Sequence, residues 1–119
     1  MGQALRGVFL GSLVVGGVAC AQMAKPDAQL ADSEAAVRVA EGVGAKQVPQ
    51  AALEDQLANE ELQHARDLMK DDKNEEASLQ LMRAKADAEL ALALTRVEQA
   101  KGSAKSAQEQ LETLQPSSR

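Results

Sequence analysis

A chain of 119 residues with a formal net charge of −5, one Phe, no Trp and no Tyr is large enough for one small domain, and its apolar content is mostly alanine with some leucine and valine. So little aromatic bulk argues against a sheet sandwich and leaves closely approaching helices as the core these residues can fill. The 13 basic side chains are interleaved with 18 acidic ones rather than clustered, which reads as solvated helix surface and argues against nucleic acid as a partner.

The chain opens with a targeting pattern. Residues 1–6 carry Arg6 and the amino terminus, and residues 7–19 are uncharged and mostly apolar, well short of the roughly 20 residues a bilayer span requires. This predicts a signal segment over 1–19. The only cysteine, Cys20, stands directly behind it, where it has no partner for an intrachain disulfide. Gly17-Val18-Ala19-Cys20 resembles the lipobox of bacterial lipoproteins, with Gly17 where that family usually has Leu. The resemblance implies cleavage before Cys20 and a diacylglycerol thioether on its sulfur. With Ala21 next rather than Asp, it also implies release to the outer membrane. Each buried acyl CH₂ contributes about 0.8 kcal/mol to such an anchor. The competing reading is an ordinary secretory signal cut after Ala21, with Ala19-Cys20-Ala21 as the small-x-small site. That reading leaves a free thiol in an oxidising compartment.

Residues 20–26 then form the acylated cysteine and a short tether, and the helical domain occupies 27–114. Pro26 is tolerated at a helix entry and Asp27 is able to cap it, so a first helix is expected over 27–41. Ala28, Ala31, Ala35 and Val39 form its main stripe, Leu30 and Val37 a flanking one, and Gly42-Val43-Gly44 ends it. Pro49 suits the first turn of a second helix over 49–71. Ala51, Ala58, Leu62, Ala65 and Met69 share one side of it, and Leu53, Leu57 and Leu68 lie about 120° away. Two stripes imply two neighbours, which makes helix two the expected centre of the bundle. The short connection 70–74 forces the next helix to run antiparallel, with Asp72 and Glu75 spaced as a capping box.

A third helix is expected over 75–114. Its apolar residues recur at Leu79, Met82, Ala86, Leu90, Ala93, Val97, Ala100, Ala104, Ala107, Leu111 and Leu114, three- and four-residue steps that place them on one face. At about 1.5 Å per residue it runs roughly 60 Å, whereas helix two covers about 34 Å. The segment from about residue 98 is therefore left projecting, with Ala100, Ala104, Ala107, Leu111 and Leu114 uncovered. That seam is the candidate surface for another helix, either in a homo-oligomer or on an envelope protein. Gly102-Ser103 is its weak point, and residues 115–119 are a polar tail. The expected fold class is all-α, an antiparallel three-helix bundle with a long, partly projecting C-terminal helix behind an N-terminal signal segment.

The run from Pro49 to about Glu98 resembles the uncharacterised envelope domain known as domain of unknown function 4398. The likeness rests on Leu57, Glu61-Leu62, Ala65, the Asp71-Asp72-Lys73-Asn74 turn, Ala77, Arg83-Ala84 and above all Ala86-Asp87-Ala88-Glu89-Leu90-Ala91. Similar domains occur in Gram-negative envelope lipoproteins, sometimes ahead of an OmpA-like peptidoglycan-binding domain. The resemblance implies an envelope address and a helical fold, and it names no activity.

Candidate chemistry is sparse. His64 is the only histidine, and with Cys20 spent on the lipid no second His or Cys is available for a metal site, so a boundary-position role is expected. Asp87 and Glu89 point about 160° apart on a helix and do not share a substrate. Arg83 and Lys85, four residues before each, make solvated ion pairs the better account of them. No phosphate loop, nucleophile elbow or cysteine–histidine pair occurs, so no catalytic, cofactor or metal residues are expected. The function expected is that of a non-catalytic outer-membrane lipoprotein, a structural or adaptor module facing the periplasm of a Gram-negative bacterium and held to the membrane through Cys20. The alternative is a periplasmic carrier or chaperone, which requires a sizeable apolar cavity that an alanine-rich interior does not readily provide.

Overall fold

The computed structural model describes residues 23–115, and among them the chain is all-α: helices α1 (Asp27–Gly42), α2 (Pro49–Lys70) and α3 (Asn74–Leu114), with a single 3-10 turn over Ala45–Gln47. The expected signal segment, Cys20 and most of the polar tail lie outside the described residues.

Alanine decides how closely these helices approach. Of the fourteen buried apolar side chains among the described residues, nine are alanine, so the core is thin and its few large members, Leu62, Leu68, Met69 and Leu81, are spaced between small ones. Counted outward from the turn that joins α2 and α3, one series of buried positions is Met69, Ala65, Leu62, Ala58, Asp55 and Ala51 on α2, and another is Ala77, Leu81, Ala84, Ala88, Ala91 and Thr95 on α3; Leu68, Asn74 and Ser78 are buried beside them. Both series advance by the same alternating steps of four and three, the spacing that keeps two helices in continuous contact when they wind gently around each other. The larger members, Met69, Leu62 and Leu81, are separated along each series by alanines, and all three belong to one cluster with Val37 and Leu68.

The α2–α3 turn closes through its backbone. Asp72 takes the left-handed conformation, φ +57°, and the amides of Lys73 and Asp72 donate to the carbonyls of Leu68 and Met69, at 2.9 and 3.4 Å. This is a Schellman closure with an aspartate where glycine is usual. The expected capping box does not form: Lys73 occupies the N-cap of α3 with no side-chain cap, and the Asn74 side chain instead donates to the carbonyl of Met23 at 2.8 Å. At the α1 entry Pro26 stands at the N-cap, and Asp27 lies in the first turn without capping it. At the α1 exit only Gly44 needs positive φ, +99°, and Gly42 is an ordinary helical residue.

Two expectations about the layers are corrected. The central helix is α3 rather than α2: α3 packs on α2 and on α1, whereas α1 and α2 touch each other least. Polar bonds fix the α1–α3 register. Ser78 Oγ donates to Gln29 Oε1 at 2.6 Å, Ser33 Oγ lies 2.8 Å from the Leu81 carbonyl, and Gln99 Nε2 donates to the Val43 carbonyl at 2.9 Å. Between α1 and α2, Glu34 meets Arg66 and Glu41 meets Asn59. The second correction concerns α1. Its expected stripe of Ala28, Ala31, Ala35 and Val39 is exposed, and the residues turned inward are Ser33, Val37 and Ala40, with Leu30 and Ala36 at the margin. A serine at an inward position broke the apolar pattern, and it is accommodated because its hydroxyl lies within donating distance of the Leu81 carbonyl across the seam and of the Gln29 carbonyl in its own helix, both at 2.8 Å.

Candidate interaction surface

The seam that periodicity assigned to the core of α3 lies on its outside. Leu79, Met82, Leu90 and Val97 are about half exposed, and Ala86 and Ala93 are exposed with them. Ala77, Ala84, Ala88, Ala91 and Thr95, which face the bundle with Leu81, sit two positions before Leu79, Ala86, Leu90, Ala93 and Val97, and two residues on a helix are roughly opposite one another. Helix α3 therefore carries two parallel apolar stripes. The inner one is small and buried, and the outer one is larger and faces solvent.

The outer stripe continues past the end of the bundle. Thr95 is the last buried residue of α3, its hydroxyl satisfied by the Ala91 carbonyl at 2.8 Å, and Gln99 makes the last hydrogen bond to α1. From residue 96 to 115 every residue is exposed, including Ala100, Ala104, Ala107, Leu111 and Leu114, so the projecting seam stands where the sequence places it. The helix runs through Gly102 without a break, and the Ser103 hydroxyl bonds back to the Gln99 carbonyl at 3.0 Å. The sequence reading put all of these residues on one face; what it missed is that the part alongside the bundle, from Leu79 to Val97, is exposed as well. Together they extend from Leu79 to Leu114, roughly 50 Å at the helical rise.

Two carboxyl sites inside the bundle were also missed. Glu61 on α2 faces Asp87 on α3, and burial followed by the charge and hydrogen bonding of Asp87 pushes Glu61 above its ordinary value of 4.5, with Arg83 partly opposing. One oxygen of Glu61 is buried without a hydrogen-bond partner. Asp87 is therefore not a solvated partner of Arg83; among the described residues, neither Arg83–Asp87 nor Lys85–Glu89 reaches ion-pair distance. Asp87 was misread because only i,i+4 spacing along its own helix was considered, whereas Glu61 faces it across the α2–α3 seam.

Asp55 is the second site. It is 2% exposed at a seam position of α2, and its Oδ1 has no partner. Burial, then the charge of Glu41, raises its pKa, and Lys46 draws it back only partly. Lys46 is engaged instead by Glu41 at 2.8 Å, and Asn59 donates to the Asp55 backbone carbonyl, also at 2.8 Å. The α1–α2 connection thus ends in a small polar cluster over a buried carboxyl. His64, the remaining candidate, is exposed on α2. Among the described residues no group of three or more His, Cys, Asp or Glu side chains is placed to hold a metal ion.

The described residues thus define an alanine-packed helical module with one helix that outruns its partners and carries an uncovered apolar face. The chain belongs to the DUF4398 family, a domain of unknown function, whose model matches residues 28–112. That span takes in all three helices. No curated protein and no solved structure matches the chain. Among the described residues no helix is long and apolar enough to cross a membrane.

Proposed function

We propose that the protein is a non-catalytic outer-membrane lipoprotein, anchored through Cys20, whose helical module serves in the periplasm as a structural or adaptor element. The observation that carries this reading is the outer face of α3, on which Leu79, Leu90, Val97, Leu111 and Leu114 are each between 45% and 69% exposed. Large apolar side chains held along one side of a helix stay in water at a cost, and the usual return is a partner. The arrangement behind it is an antiparallel three-helix bundle, supported by hydrogen bonds whose residue numbers rise together in α1 and α3 and oppose each other in α1 and α2. The contact between Met23 and Asn74 places the start of the described chain at the α2–α3 turn. An anchor at Cys20 therefore holds the turn end, and the projecting end of α3 points away from it.

A carrier role is less well supported, because a core made largely of alanine at 0% exposure has little room to open around an apolar ligand. Metabolic labelling with a palmitate analogue, followed by membrane fractionation, tests the anchor: label and outer-membrane sedimentation are expected in the wild type and lost in Cys20→Ala. Label that persists in Cys20→Ala sinks the assignment. Deleting residues 98–119 tests the adaptor role, and unchanged recovery of every envelope partner counts against it.

A further inference from the structure

The first described residues of the chain run against the α2–α3 turn. Asn74, the first residue of α3, is 7% exposed, and its Nδ2 donates to the Met23 carbonyl at 2.8 Å. Asparagine is among the best capping residues, yet α3 starts behind Lys73 with no side-chain cap. The other polar atom of the Asn74 side chain, Oδ1, is buried without a partner. An unmade cap and an unpaired acceptor both cost stability. What this side chain makes instead is a single bond to a backbone carbonyl 51 residues earlier.

Two further contacts keep residues 23–26 in place. Pro26 is buried, and its carbonyl accepts the Leu30 amide at 3.0 Å at the start of α1. A proline also disfavours helical backbone in the residue before it, so Lys25 continues the segment and α1 does not begin earlier. Lys25 Nζ lies 3.9 Å from Oδ1 of Asp72, the residue whose left-handed backbone closes the turn. That pair is exposed and weak, but it draws the segment to the same place. Residues 23–26 thus form a strap, tied at one end to α1 and at the other to the first residue of α3.

We propose that Asn74 is a positioning residue that locks this strap on the turn and thereby sets how far the module stands from the membrane. The proposal rests on the lipid anchor at Cys20. With the strap docked, Met23 is fixed and the three residue steps back to Cys20 reach at most about 10 Å; with it released, the seven steps from Cys20 to Asp27 reach at most about 24 Å. The strap therefore holds the turn end of the bundle against the bilayer surface. The apolar face of α3 then starts at Leu79, close to the membrane, and ends at Leu114, roughly 50 Å further along the helix.

The test uses the lipidated full chain in vesicles of phosphatidylethanolamine and phosphatidylglycerol. A nitroxide on Ala24→Cys reports the strap. Its motion should be as restricted as that of a nitroxide on Lys105→Cys in α3, and about three-fold faster once Asn74→Ala is added with helicity unchanged. Free motion at Ala24→Cys with Asn74 in place overturns the proposal, and that measurement needs no variant at position 74. A fluorophore on Asp71→Cys reports the turn: quenching by nitroxide headgroup lipids is expected, and it should fall by about half with Asn74→Ala. Equal quenching with and without Asn74, or none in its presence, overturns the positioning role. A chain that takes no palmitate label at Cys20 removes the lipoprotein reading and the membrane spacing with it, whereas motion at Ala24→Cys in a Cys20→Ala background still decides whether the strap is docked.

Discussion

The two faces of α3 differ in a way that inverts the usual expectation, since the smaller residues are inside and the larger ones outside. On the inner face Ala77, Ala84, Ala88 and Ala91 are fully buried beside Leu81, whereas on the outer face Leu79, Met82, Leu90 and Val97 remain in contact with solvent. The inversion shows that in this bundle burial follows fit rather than hydrophobicity. Alanine seams bring backbones close, and a row of leucine and methionine at the same positions would force the helices apart. The outer row is then free to serve contacts outside the bundle.

The largest effects should come from substitutions that treat the two faces alike. Leu81→Ala removes the one large, fully buried residue of the inner face of α3 and should cost about 3 kcal/mol, within the usual range for a core leucine. Leu90→Ala, the same change on the outer face, should stay within about 0.5 kcal/mol. Chemical denaturation of both variants measures the difference directly, and equal losses would mean that the outer stripe is also part of the folded core.

The converse substitution is the next in size. Ala88→Leu adds bulk where the α2–α3 seam has no room and should destabilise by about 2 kcal/mol, whereas Ala86→Leu, two residues away on the exposed side, should leave the midpoint of unfolding nearly unchanged. A tolerant Ala88 would show that the helices can separate, and it would bring back the carrier reading that the thin core argues against.

These pairs also show what was readable in the sequence. Helices expected at 27–41, 49–71 and 75–114 compare with Asp27–Gly42, Pro49–Lys70 and Asn74–Leu114, because proline entries and a short polar turn are local signals. The inner face of α2 was readable too, since Ala51, Ala58, Leu62, Ala65 and Met69 are all buried. On α1 and α3 the reading chose the wrong face. Periodicity alone finds two acceptable stripes on α3, and preferring the larger side chains selects the outer one. Ser33 and Thr95 hid the true seams of α1 and α3, because a polar residue at an inward position interrupts an apolar pattern even when the backbone satisfies it. The projecting segment was readable from length alone, because no expected neighbour was long enough to cover it. Glu61 and Asp87 were not, since their proximity depends on how α2 and α3 are paired.

That carboxyl pair yields a prediction with a definite sign. Burial and the facing Asp87 raise Glu61 above its ordinary 4.5, so the folded chain holds this proton more tightly than the unfolded one. The stability associated with it is fully present below about pH 4.5 and is lost as pH rises through the raised value. Glu61→Gln keeps the shape, removes the charge and supplies a donor for Asp87. The variant should match the parent near pH 4 and exceed it by about 1 kcal/mol near pH 7. Asp55 is shifted in the same direction, so its contribution should still weaken the Glu61→Gln variant as pH rises. Glu41 and Asp67 are shifted downward and act in the opposite sense, so the test is the difference between parent and variant: if it stays flat from pH 4 to 7 in urea unfolding, the Glu61 shift is contradicted.

The smallest expected effect separates the two ends of the molecule. Gly102 and Gly42 are both helical, and a methyl group added to either meets nothing within 4 Å. Replacing each with alanine therefore changes little besides helix propensity, worth up to about 1 kcal/mol. Gly42→Ala lies at the end of α1, within the bundle, and should raise the midpoint of global unfolding. Gly102→Ala lies beyond the last contact of α3 with α1. Its benefit should appear only locally, as up to about five-fold slower amide hydrogen exchange over residues 98–112 with the global midpoint unchanged. If Gly102→Ala raises the midpoint as much as Gly42→Ala does, the projecting segment unfolds together with the bundle. Coupling of that kind would require a contact that the single chain does not supply. A midpoint shift that grows with protein concentration would identify the contact as a second copy.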